Sequence, residues 1–98
     1  MNINKELDGS TLTLKVEGRI DTTTAPELEN TVKGSVDGIT SLIFDFSSLD
    51  YISSAGLRVL LSAQKIMNEK GDMIVENVSD DINEIFEVTG FSDILTIK

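Results

Sequence analysis

Two adjacent serines, Ser53 and Ser54, stand where an apolar run gives way to a helical pattern, in the segment Phe46-Ser47-Ser48-Leu49-Asp50-Tyr51-Ile52-Ser53-Ser54-Ala55-Gly56-Leu57. A serine hydroxyl can serve as a nucleophile beside a base, as a helix cap, or as the acceptor of a group delivered by another protein. The first use meets an obstacle in composition. The chain has no histidine, so a Ser-His-Asp site cannot be built. Ser-Lys chemistry finds no lysine beside Ser54 in sequence, and no phosphate loop of the G-x-x-x-x-G-K-[ST] type occurs. Carboxylate-based hydrolysis finds only scattered acids. Cysteine is absent too, which removes a thiol nucleophile, a disulfide framework and thiolate metal sites. Carboxylates alone favour calcium or magnesium, and no D-x-[DN]-x-[DN]-G loop is present. The expectation is a protein that is not an enzyme and carries no cofactor and no metal.

The two remaining uses of a serine share one geometry. Placed as the N-cap of the helix that follows, Ser54 accepts a hydrogen bond from the N–H of Gly56 or Leu57, and its loss costs ~1 kcal/mol. The same helix start presents unpaired N–H groups and a positive dipole end, which favour a phosphoryl group. Small residues at Ala55 and Gly56 leave the hydroxyl open to a second protein, and a glycine inside a helix, at a cost of ~1 kcal/mol, calls for a reason. Arg58 lies four positions on, on the same helix face, within reach of a phosphoryl group or a partner carboxylate; such an arginine is also a common solvated surface residue.

These residues need a frame. Ile3 to Leu7 and Leu12 to Val16 alternate apolar and polar positions around Asp8-Gly9, which predicts an antiparallel hairpin. Thr24 and Glu27 are spaced for a capping box with Pro26 in the first turn, predicting a helix to about Asp37 that buries Leu28, Val32 and Val36 and stops at Gly38. Leu42 to Phe46 is almost wholly apolar and predicts a central strand covered on both faces. A second helix runs from near Ser54 to Gly71, whose left-handed preference suits a helix end, and carries Leu57, Leu60, Leu61, Ala63, Ile66 and Met67. Met73 to Val75 is a further strand. Ser79 caps a third helix bearing Ile82, Ile85, Phe86 and Val88, ended by Gly90, and Ile94 to Ile97 forms a last strand. The order predicts one α/β domain over residues 1–98, with an N-terminal antiparallel strand pair, a mainly parallel sheet and helices packed on it. Phe44, Phe46, Leu60, Ile74 and Phe86 are predicted core residues.

Length and charge bound the partners. A chain of 98 residues with 40% hydrophobic content supports one core. No apolar run approaches the ~20 residues that cross a bilayer, and the N-terminus lacks a signal segment, so a cytoplasmic location is expected. A net charge of -9 disfavours nucleic acid and anionic membranes and suits a protein partner with a basic face.

The serine segment resembles the phosphorylation loop of the STAS-domain anti-sigma-factor antagonists. Asp45-Phe46-Ser47, Tyr51-Ile52 and Ser54-Ala55-Gly56-Leu57 match its pattern; Gly18-Arg19-Ile20-Asp21 matches the family's segment before the first helix, and Phe86-Glu87-Val88-Thr89-Gly90-Phe91 a downstream one. All three lie in register along the chain. The family commonly has aspartate where this chain has Ser53, and often glycine where it has Arg58. A monomer is expected, and the resemblance implies a partner-switching protein. Unmodified, it binds an anti-sigma factor with serine kinase activity and so releases a sigma factor; phosphorylation at Ser54 ends binding, and a serine phosphatase restores it. It implies partner contacts through Asp21, Thr22, Ser53, Ser54, Ala55, Gly56 and Arg58. Asp21 has a second reading as a turn residue at a helix entry, as has Thr22. Ser53 in place of aspartate also leaves open a constitutive STAS adaptor, a subunit of a sensory scaffold or lipid-transport complex in which Ser54 is only a helix cap.

Overall fold

The computed structural model describes all residues from Met1 to Lys98. Strands β1 (Asn2–Asp8) and β2 (Thr11–Ile20) pair antiparallel through a two-residue loop, Gly9-Ser10, since Asp8 is still paired with Thr11. Positive φ at Gly9 alone (62°) is the pattern of a type II′ turn, so the turn sits one residue later than Asp8-Gly9. Helix α1 (Ala25–Lys33) follows, then β3 (Ser41–Asp45), β4 (Leu49–Ile52), α2 (Ser54–Asn68), β5 (Asp72–Glu76) and α3 (Asp80–Thr89). A 3-10 turn, Phe91–Asp93, leads to the end of the chain.

The sheet runs β1-β2-β3-β5, with β4 joined to β2 beyond the end of β3. β2 therefore serves two parallel partners on one edge, β3 through Thr11 to Lys15 and β4 through Gly18 to Ile20. Burial alternates along β3, β5 and the first part of β2. Leu12, Leu14 and Val16 of β2, Leu42 and Phe44 of β3, and Met73 and Val75 of β5 are buried, while Thr13, Ile43 and Ile74, paired side by side, keep partial exposure on the opposite face. The helices thus share one face and the other is open, which corrects the expectation of a strand covered on both sides. It also moves Ile74 out of the core. Leu42-Ile43-Phe44 looks continuous only because Ile43 shields its flank against Ile74 on the open face. Phe44, Phe46, Leu60 and Phe86 lie in the single core as predicted.

Several boundaries differ from the sequence expectation for local reasons. α1 stops at Lys33 instead of Asp37, because β-branched Thr31 and Val32 are followed by Gly34 and Ser35, both poor helix formers; Val36 is buried from the turn beyond. α2 ends at Asn68, and Gly71 is not its left-handed cap. A Cβ at Gly71 would lie 1.9 Å from the carbonyl oxygen of Thr40, so glycine is required by backbone contact as the chain enters β5. On α3, Ile82 and Phe86 are buried and Val88 is 80% exposed. The predicted last strand reduces to a bridge between Val75 and Ile97, since the turn at Phe91–Asp93 leaves only Thr96 to Lys98 alongside β5. No helix is long and apolar enough to cross a membrane.

Candidate functional site

β4 is the element that builds the site. Its four residues, Leu-Asp-Tyr-Ile, have a burial pattern with only the ends inside, and within the linking segment they carry no alternation that marks a strand. Paired with β2, they bring Ile52 beside Ile20, and the Ser53 N–H then donates to the Ile20 carbonyl at 2.8 Å. The residues that leave these two strands, Asp21 after Ile20 and Ser53-Ser54 after Ile52, are thereby held together at one sheet edge.

The cap of α2 is Ser53, not Ser54. Ser53 has extended backbone (φ -90°, ψ 175°), its Oγ accepts from the Gly56 N–H at 3.3 Å and its carbonyl from Leu57 N–H at 2.9 Å. Ser54 is the first residue inside the helix and its side chain is exposed. The expectation of a capping Ser54 fails by one residue, because the pairing of Ile52 with Ile20 extends the strand up to Ser53. Serine and aspartate are comparable N-caps, so Ser53 closes the helix as well as an aspartate would. The N–H groups of Ser54 and Ala55 bond to no protein acceptor, as expected in a helix's first turn.

Gly56 is buried, and the reason for glycine is packing. A Cβ there would meet Ile20 Cγ2 at 2.6 Å and Ile52 Cγ1 at 2.7 Å. The helix start is pressed onto the β2–β4 pair, and Gly56 supports the site from beneath instead of contacting solvent.

Asp21 forms a capping box of its own, three residues upstream of the expected one. Its Oδ1 accepts from the N–H groups of Thr23 (3.0 Å) and Thr24 (3.1 Å), while the Thr24 hydroxyl accepts from the Asp21 N–H at 2.8 Å. Thr24 itself is helical, does not cap through its side chain, and donates to the Arg19 carbonyl. The Thr23 hydroxyl bond is the largest cause holding the Asp21 carboxyl below its ordinary 3.8, joined by the backbone bonds from Thr24 and Thr23 and opposed by partial desolvation. The turn role of Asp21 is thus present, and its carboxylate stays at the rim of the site.

A groove of about 360 Å³ opens between the two helix starts, with Thr22, Ala25, Pro26 and Glu29 on one wall and Ala55, Arg58 and Val59 on the other. Of the seven sequence-selected residues, Thr22, Ala55 and Arg58 line it; Asp21 and Ser54 precede lining residues in the chain, Ser53 caps α2, and Gly56 is packed on Ile20 and Ile52. Two further residues went unassigned in the sequence. The Arg19 guanidinium sits 4.4 Å from the centroid of the Tyr51 ring and its Nε lies 3.9 Å from Asp21 Oδ2. Both belong to the segments that carry the resemblance, but only the β2–β4 pairing of Arg19 with Tyr51 makes them neighbours.

The model of the STAS domain matches residues 2–98. The chain belongs to the STAS domain family. Among its relatives, the anti-sigma-B factor antagonist of Listeria monocytogenes is 34% identical over 104 residues, spanning 100% of this chain and 90% of that protein. The antagonist of the same name from Staphylococcus aureus is 28% identical over 100 residues, with 100% and 93% covered. In structure, this STAS domain is similar to an anti-sigma factor antagonist from Mycobacterium paratuberculosis (TM-score 0.89, 23% identity, 98% of this chain and 83% of that one). It also resembles the antagonist SpoIIAA in its unphosphorylated form (TM-score 0.79, 17% identity, 99% and 87%). These likenesses establish the fold; the antiparallel opening pair, the parallel strands and the three helices agree with it.

Proposed function

We propose that this STAS protein is an anti-sigma factor antagonist that works by partner switching. Unmodified, it binds an anti-sigma factor with serine kinase activity and so frees a sigma factor; phosphorylation of Ser54 ends that binding, and a serine phosphatase restores it. The antagonist role is the one borne by its relatives, the anti-sigma-B factor antagonists of Listeria monocytogenes and Staphylococcus aureus. The observation that carries the switch is the exposed Ser54 at the first residue of α2, beside two unpartnered N–H groups and next to the groove between α1 and α2.

The same geometry supports a role without catalysis. On this reading the exposed Ser54 hydroxyl is an acceptor that a partner acts upon. A phosphoryl group there meets the positive end of α2 and free donors, which hold it without distorting the fold. It adds about -1.5 to -2 charges to a chain already at -9. At a contact patch a partner that fits the unmodified serine must desolvate that added charge, a penalty of several kcal/mol against binding.

Incubation with ATP and the cognate anti-sigma kinase, followed by mass spectrometry, tests the assignment. Phosphate is expected on Ser54. Ser54→Ala abolishes incorporation and keeps partner binding, while Ser54→Asp weakens binding through added charge. Phosphate on Ser53 overturns the register, and none on either serine with a verified kinase favours the constitutive adaptor.

A further inference from the structure

Arg58 is exposed on the rim of the groove and has no ion-pair partner. Of the chain's two arginines, Arg19 and Arg58, only Arg58 lacks a carboxylate partner. Glu29, on the facing wall, is engaged by Lys33 of its own helix at 3.3 Å. Arg19, the other arginine nearby, is taken up by Asp21 and the Tyr51 ring. That leaves Arg58 as the free cation next to Ser54, one helical turn on, where Cβ atoms of an i,i+4 pair are separated by about 5–6 Å. An arginine side chain spans that distance easily, and its fork of donors matches phosphoryl oxygens two at a time.

We propose that Arg58 is the positioning residue of the phosphorylated state: its guanidinium folds back along α2 and holds the phosphoryl group on Ser54 with paired N–H···O bonds. The proposal rests on Ser54 being the acceptor, but concerns what this chain does with the group once it is there. Phosphorylation then has two effects at the groove. It adds negative charge, and it withdraws from the rim the one free cation that an incoming partner meets.

The elements that meet at the start of α2 carry Arg19 on β2, Asp21 just after it, Glu29 on α1, Asp50 and Tyr51 on β4, and Arg58 on α2 itself. Three of them are carboxylates, which push the second ionisation of a phosphoserine upward. A cation in contact with the dianion pulls it downward.

The test uses full-length protein with phosphoserine installed at position 54 during translation, and follows its phosphorus resonance in an NMR titration at low salt. Against an ordinary second pKa of about 6, Arg58→Ala is expected to raise the value over wild type by about half a unit to one unit. Arg58→Lys falls between the two, because a point charge replaces the fork. Arg19→Ala leaves the value within about 0.2 units of wild type, because a committed cation contributes little. Wild type and Arg58→Ala titrating together, or Arg19→Ala causing the larger shift, overturns the proposal. Because translation supplies the phosphoserine, a kinase that leaves Ser54 unmodified counts against the acceptor reading alone, and the titration still decides the role of Arg58.

Discussion

Ser53 and Ser54 divide between them the two roles a serine can play at a helix start, and their stabilities should separate accordingly. Ser53→Ala removes the acceptor of the Gly56 N–H and should cost ~1 kcal/mol in chemical denaturation, whereas exposed Ser54→Ala should stay within about 0.5 kcal/mol. A larger loss at Ser54 would return the cap to that residue. Asp21 makes a pH-dependent contribution. Its folded-state carboxyl lies below its ordinary value, so the stability it adds is present in full at neutral pH and is lost as pH falls from about 4 through the folded-state value. Urea midpoints of wild type and Asp21→Ala should therefore differ by a constant amount above about pH 5 and converge in stronger acid.

At the scale of elements, the contact between α2 and the β2–β4 pair is the joint on which the site depends. Gly56→Ala improves helix propensity by ~1 kcal/mol, yet its methyl group enters space already held by Ile20 and Ile52, both buried. Overpacking of this kind costs about 1–3 kcal/mol. The expected outcome is net destabilisation together with weaker partner binding, since a displaced helix start carries Ser54 and Arg58 with it. A stabilised variant in thermal unfolding would show that the helix can lift without cost.

For the molecule as a whole, stability resides in one core beneath one face of the sheet. Leu60 is fully buried there, and Leu60→Ala should cost ~2 to 5 kcal/mol. Ile74→Ala should cost clearly less, because its side chain lies on the open face between partly exposed neighbours. Equal losses in denaturant titrations would mean that something covers that face in solution. The uncovered face also leaves the groove between α1 and α2 as the concave feature beside the serine, which places the proposed switch where a second protein can approach two helices at once.

The three helices and the strands β1, β2, β3 and β5 in their order, the buried phase of Leu12, Leu14 and Val16, the helix faces of Leu28 and Leu60, and the Ser54 segment were legible in the sequence. Each is written in periods and spacings within a short stretch of chain. The cap at Ser53, the capping box at Asp21, the strand Leu49–Ile52 and the need for glycine at positions 56 and 71 were not. The Asp21 box is local and competes with an equally plausible Thr24 box, but the others depend on pairings between distant segments: Ile52 beside Ile20 and Thr40 against Gly71. Local propensity left Leu49–Ile52 a loop, and the backbone bonds offered by β2 made it a strand. That pairing set the first residue of α2, and so decided which serine closes the helix and which faces the solvent.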